Sequence, residues 1–151
     1  MLGQTYVGKL PGFETGAETP PCTYTSDVPV LTLRGTSTPL LIGDNAIAGF
    51  GDGKVVAIDL DSGNVSWESR IGIPQGGSEI DLIVDIDGVM TVHGIELFVS
   101  SYQGRVAALD IRTGRKLWQQ NVSSVTGTAV GVGNVYVADV DGPVRACLRK
   151  R

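Results

Sequence analysis

The sequence has little of what catalysis and cofactor binding draw on. It contains one histidine, His93, so neither a zinc site rich in histidine nor a His-centred triad has a basis, and an exposed turn residue is the expectation for it. The two cysteines, Cys22 and Cys147, fall where the internal pattern of the chain is weakest and are expected to stay unpaired. No apolar run approaches the ~18 residues of a membrane helix, and residues 1–25 lack the basic start and apolar centre of a signal peptide. An export signal or a lipid anchor would have to come from sequence outside this chain. Basic residues cluster only at the C-terminal tail, and 12 Lys and Arg against 16 Asp and Glu leave a net charge of −4, which removes the electrostatic case for nucleic acid. Aromatic residues make up only 6% of the chain, and helical spacing of apolar residues is hard to find.

What is plentiful is glycine, 21 of 151 residues, in a chain that is 42% apolar, a combination that suits an all-β protein with many tight turns. The dominant pattern is a repeat. GRVAALDIRTGRKLW at 104–118 falls on GKVVAIDLDSGNVSW at 53–67 when moved back by 51 residues, and the match continues without a gap from 40/91 to 71/122. A third, shorter copy starts at Gly142, 38 residues after Gly104, with Val144 and Ala146 in the places of Val106 and Ala108.

Each copy reads as four strands separated by glycine-rich hairpin turns. The expected strands are 39–42, 46–50, 54–60 and 65–70 in the first copy, then 89–92, 96–102, 105–111 and 116–122, then 129–132, 135–140 and 144 onwards. Stretches such as VVAID and VAALD are apolar at consecutive positions, so both faces of their sheets should be covered. Sheets stacked face to face do that, which predicts a β-propeller of four-stranded antiparallel blades. The chain holds about two complete blades, 39–71 and 89–122, and part of a third, 128–147, as a fragment of a larger ring. Residues 1–24 read as an irregular leader, 25–147 as the partial propeller and 148–151 as a basic tail. Open blade edges in such a fragment should leave strand donors and acceptors unpaired.

The repeated residues have architectural roles in this reading. Ala57 and Ala108 let inner strands crowd near the axis, while Trp67 and Trp118 fill the gaps between blades. Asp59 and Asp110 accept amide hydrogen bonds from the hairpins that follow them, whose Gly63 and Gly114 take a positive φ. Function is then expected in what the repeat leaves over, chiefly the long connection at 73–88. Its Asp85 and Asp87 resemble part of a calcium loop, but the third oxygen ligand and distal Glu are missing, so no metal is expected. Glu79, Asp81 and Asp85 have no nucleophile or base in a matching motif, and Gly49–Lys54 reads as a hairpin turn, not a phosphate loop. The sequons at Asn64 and Asn121 fall on strand positions and are read as coincidence.

Two stretches, DVPVLTLRGTSTP at 27–39 and GGSEIDLIVDID at 76–87, together with the A-[IL]-D-x-x-[ST]-G-x-x-x-W repeat, narrow the choice. With them the chain resembles the BamB family of outer-membrane protein assembly factors, periplasmic lipoproteins with repeats of the pyrroloquinoline-quinone type. The resemblance covers residues 25–147. It implies an eight-bladed ring on the periplasmic face of the outer membrane, without a cofactor and without enzymatic activity. It also implies a scaffold that binds the periplasmic (POTRA) domains of BamA and assists insertion of unfolded outer-membrane proteins. Contact with BamA is attributed in that family to a Leu-x-Leu-Arg element, here Leu31, Leu33 and Arg34, and to an Asp-x-Asp element, here Asp85 and Asp87. The chemistry suits such a role, because leucines anchor in apolar grooves, Arg34 can clasp a carboxylate and the aspartates a basic side chain. Membrane association would run only through a lipid anchor absent from this chain. Two other readings are a fragment of a quinone-dependent dehydrogenase, which would need cofactor-stacking aromatics and calcium ligands not recognisable here, and a generic propeller interaction module.

Overall fold

Glycine turns divide the chain into short antiparallel sheets. The computed structural model describes residues 9–12, 22–25, 37–71, 86, 88–101, 105–122, 124, 127–139 and 141–149. The first full blade is a meander of β3 (Leu40–Ile42), β4 (Asn45–Gly49), β5 (Lys54–Asp59) and β6 (Val65–Arg70), following β1 (Lys9–Gly12) and β2 (Cys22–Thr25). The second consists of β7 (Thr91–His93), β8 (Glu96–Ser100), β9 (Val106–Asp110) and β10 (Lys116–Gln120). The third sheet is three-stranded, in the order β11 (Thr128–Val130), β12 (Asn134–Ala138) and β13 (Val144–Leu148). Within each blade the strands pair with their sequence neighbours, the topology that two- to five-residue hairpins enforce. The chain is all-β and forms part of a propeller.

The consecutive apolar residues of β5 and β9 sort onto opposite faces by the two-residue strand period. Val55 and Ala57 of the first blade meet Leu97, Val99, Ala107 and Leu109 of the second in one buried cluster. The other face of the second blade, with Phe98, Val106 and Ala108, packs on Val135, Val137 and Cys147 of the third. The outer face of the first blade, Ala48, Phe50, Val56 and Ile58, is buried as well. Both faces of β5 and β9 are therefore covered.

Four details depart from the expectations. The leader was expected to be irregular, but Lys9–Gly12 pairs antiparallel with Cys22–Thr25, a hairpin too short and too rich in Gly and Pro to show a period. The tail was expected to begin at residue 148, yet Leu148 is the last residue of β13, and Arg149 Nε donates to Glu96 Oε2 at 3.0 Å across the junction with the second blade. Their separation of 53 residues hid that pair from a linear reading. Ala57 and Ala108 lie on the third strands, not on the innermost ones. The second and third sheets approach most closely at their first strands, where Val89 and Gly127 form a parallel bridge and Thr91 Oγ1 donates to the carbonyl of Thr128. Several strands also end a residue or two early, as β8 does at Ser100 where 96–102 was expected, because turn residues take over their hydrogen bonds.

Candidate functional site

The alanines matter because of what stands across from them. Ala57 pairs with Trp67 and Ala108 with Trp118, and both registers shift by one residue just before the tryptophan. Such a bulge turns the indole onto the face that meets the next blade, and the methyl group opposite leaves it room. Trp67 is 8% exposed, and its Nε1 donates to the carbonyl of Ile111 at 3.1 Å, in the hairpin of the neighbouring blade. Gly114 of that hairpin has φ +68°, and a Cβ there would lie 2.6 Å from Trp67 Cδ2. Glycine is thus required twice at this position, for its backbone conformation and for the indole that lies against it.

The repeated aspartates hold the same hairpins. Asp59 Oδ1 accepts from the Ser62 hydroxyl at 2.7 Å and the Ser62 amide at 2.8 Å, which keeps its carboxyl below the ordinary value. Asp110 Oδ1 accepts from the Arg112 amide at 2.9 Å; that bond lowers its pKa, partial burial opposes it, and the Arg112 guanidinium adds to the lowering. Gly63 and Gly114 adopt φ of 71° and 68°. Cys147 is a buried free thiol whose pKa burial pushes up, so it is a packing residue of the second junction, not a reactive group.

Leu31, Leu33, Arg34, Asp85 and Asp87 lie outside the described residues, but the chain beside each element is fixed. Ser37 is buried; its hydroxyl accepts from the Gly49 amide at 2.9 Å and donates to the Gly49 carbonyl at 3.4 Å. Ile86, between the two aspartates in sequence, is fully buried in the cluster of Ile47, Ile71 and Met90. Both anchors reach one point: a Cβ on Gly49 would meet Ile86 Cγ2 at 2.5 Å and Ser37 Oγ at 2.9 Å. Ser37 and Ile86, one from each of the stretches that the repeat leaves over, therefore meet at the end of β4. The sequence reading missed Ser37 and Ile86. The apolar Ile86 flanked by two acids was the available signal for the second; nothing marked the first.

Among the described residues no group of three His, Cys, Asp or Glu side chains could hold a metal ion. His93 is exposed at the end of β7.

The sequence profile described as outer membrane protein assembly factor BamB matches residues 23–150. The chain belongs to the BamB family. It is 56% identical over 119 residues to the outer membrane protein assembly factor BamB of Pseudomonas aeruginosa, a stretch that covers 79% of this chain and 31% of that protein. The crystal structure of BamB from Moraxella catarrhalis superposes with a TM-score of 0.88 at 32% identity, over 96% of this chain and 44% of that one. At the level of fold alone, the C-terminal WD40 domain of Sif2 matches with a TM-score of 0.71 at 14% identity, over 99% of this chain and 42% of that one. The chain thus spans about a third of the Pseudomonas relative.

Proposed function

We propose that this chain is part of a non-enzymatic scaffold of outer-membrane protein assembly, and that its two inter-blade connections form one contact surface for the periplasmic domains of BamA. The observation that carries this reading is the convergence of Ser37 and Ile86 on Gly49. Arg34 is three residues from Ser37, about 11 Å of chain at full extension, and Asp85 and Asp87 adjoin Ile86. An arginine three residues from one anchor and two aspartates adjoining the other suit a partner with both signs of charge, and apolar anchoring by Leu31 and Leu33 would supply affinity that such pairs alone do not. The names of the relatives support the assembly role. Periplasmic location at the outer membrane, and assistance to unfolded outer-membrane proteins, follow from the same reading.

The test is capture of BamA soluble domains by the complete ring, with Arg34→Glu and Asp85→Lys compared against the parent. Each reversal should weaken capture by tenfold or more, since it replaces an attraction by a like-charge contact at a partly desolvated site. Undiminished binding by both variants would remove the proposed surface.

A further inference from the structure

Ser37, Gly49 and Ile86 meet at one end of the blades. The turns between first and second strands, at 43–44, 94–95 and 131–133, and those between third and fourth, at 60–64 and 111–115, lie at the other. There the Ile111 amide donates to the Ile95 carbonyl at 2.9 Å, so the two turns of the second blade adjoin. Arg149, just past β13, reaches Glu96 at that end, so the third blade presents the same end as the second.

Basic residues were expected to cluster only at the tail, but this end of the second blade carries Arg112, Arg115 and Lys116, all exposed. The first blade shows what the turn itself needs. It has Asp59, Ser62 and Gly63 where the second has Asp110, Thr113 and Gly114, yet it sets Asp61, Asn64 and Val65 in the places of the three cations. The hairpin is thus built without them. Their exposure belongs to the turn, because Asp61, Asn64 and Val65 are exposed as well, with all four strands of the second blade beside them. The Arg112 guanidinium lies 3.6 Å from Asp110 with its side chain 71% exposed, and Lys116 Nζ gives one hydrogen bond to Gln119. Among the described residues neither Arg115 nor Lys116 is ion-paired. Apolar tips accompany the cations: Ile95, in the place of Asp44 of the first blade, is 54% exposed, and Val132 is fully exposed.

We propose that this end of the second and third blades is a contact surface for an anionic lipid bilayer, with Arg112, Arg115 and Lys116 at the headgroup phosphates and Ile95 and Val132 in the layer beneath them. The turn at 111–115 closes its main-chain hydrogen bonds on itself, from the Asp110 amide to the Arg115 carbonyl and from the Gly114 amide to the Asp110 carbonyl, so it offers a peptide no strand edge. Cations on projecting turns beside apolar tips match a surface that is anionic at its face and apolar below it. The first blade, with Asp44 and Asp61 at this end, would be repelled by the same surface, which confines the contact to the second and third. The contact is made by the blades themselves, at the end away from Gly49, and does not rest on the BamA reading.

The test is co-sedimentation of the full 151-residue chain with vesicles of phosphatidylcholine alone and with vesicles in which half of that lipid is replaced by phosphatidylglycerol. At low ionic strength the chain should bind the anionic vesicles at least about tenfold more tightly than the neutral ones, and salt at roughly 0.5 M should abolish the difference by screening. Arg115→Glu with Lys116→Glu should weaken binding at least about tenfold, and the Gln pair at the same positions should give part of that loss. Ile95→Ser with Val132→Ser should lose a few-fold. Arg70→Glu, an exposed position at the opposite end of the first blade, should bind as the parent does. Trp67 lies against Gly114 of the basic hairpin, so unchanged tryptophan emission shows that the variants keep it folded. No binding, equal binding to both vesicles, full binding by the glutamate pair, or an equal loss in Arg70→Glu would overturn the proposal. So would capture of a fluorescein-labelled hexaglutamate peptide by a chain that ignores the vesicles, which would give the patch to an acidic polypeptide.

Discussion

Trp67 and Trp118 occupy the same place in the same motif, yet the N–H of one is hydrogen-bonded and that of the other is not. Trp67 lies under a complete hairpin, with its ring against Gly114 and its N–H bonded to Ile111. Trp118 stacks at 6.0 Å from Phe98 in a tilted pair, and its N–H is buried with no partner. The difference teaches that a repeat residue has no stability of its own; the neighbouring repeat completes it.

Gly114→Val should break the better junction most severely. Strain at positive φ and overlap with the Trp67 indole should together cost about 3–5 kcal/mol in urea unfolding, while Gly63→Val, which carries the strain term, should cost about 1–3 kcal/mol. Equal losses would mean that the indole contact contributes nothing. The tryptophans themselves provide the next test. Trp67→Phe gives up a made hydrogen bond and leaves the Ile111 carbonyl unpaired, whereas Trp118→Phe removes an orphan donor, so the first should be the more destabilising by about 1–3 kcal/mol. A reversed order would contradict the assignment of the two N–H groups.

Across the junction that holds Trp118, the Glu96–Arg149 pair, with Arg149 also 6.0 Å over the Phe98 ring, should show a coupling of about 1 kcal/mol in a double-mutant cycle of Glu96→Gln and Arg149→Met. Zero coupling would return Arg149 to the status of a tail residue. The smallest effect is acid sensitivity. Asp59 and Asp110 have folded pKa values below the ordinary 3.8, so their contribution is complete above that value and is lost as pH falls through the lowered ones. Tryptophan fluorescence of the parent should therefore change below about pH 3.8, and Asp59→Asn with Asp110→Asn should flatten that response.

The blade pattern was readable because each turn is local: an Asp, a Ser or Thr and a Gly within five residues set a hairpin whose hydrogen bonds close on themselves. Burial of consecutive apolar residues was readable for the same reason, since a strand alternates faces whatever it packs against. The candidate contact surface was only partly readable. Its named residues came from family resemblance, and the anchors beneath them, Ser37 and Ile86, carry no periodic signal because they belong to connections that the repeat does not govern.

The sequence by itself therefore determined the elements: strand period, turn chemistry and the 51-residue copy are consequences of bonds between residues close in the chain. Tertiary structure alone decided which strands face one another, that the alanines serve the tryptophans and not an axis, and that Glu96 meets Arg149 across 53 residues. It also decided that two chemically identical indoles end in unlike states. Those outcomes depend on what the neighbouring blade presents, and contacts between blades are set by packing over distances that no local rule of the chain encodes.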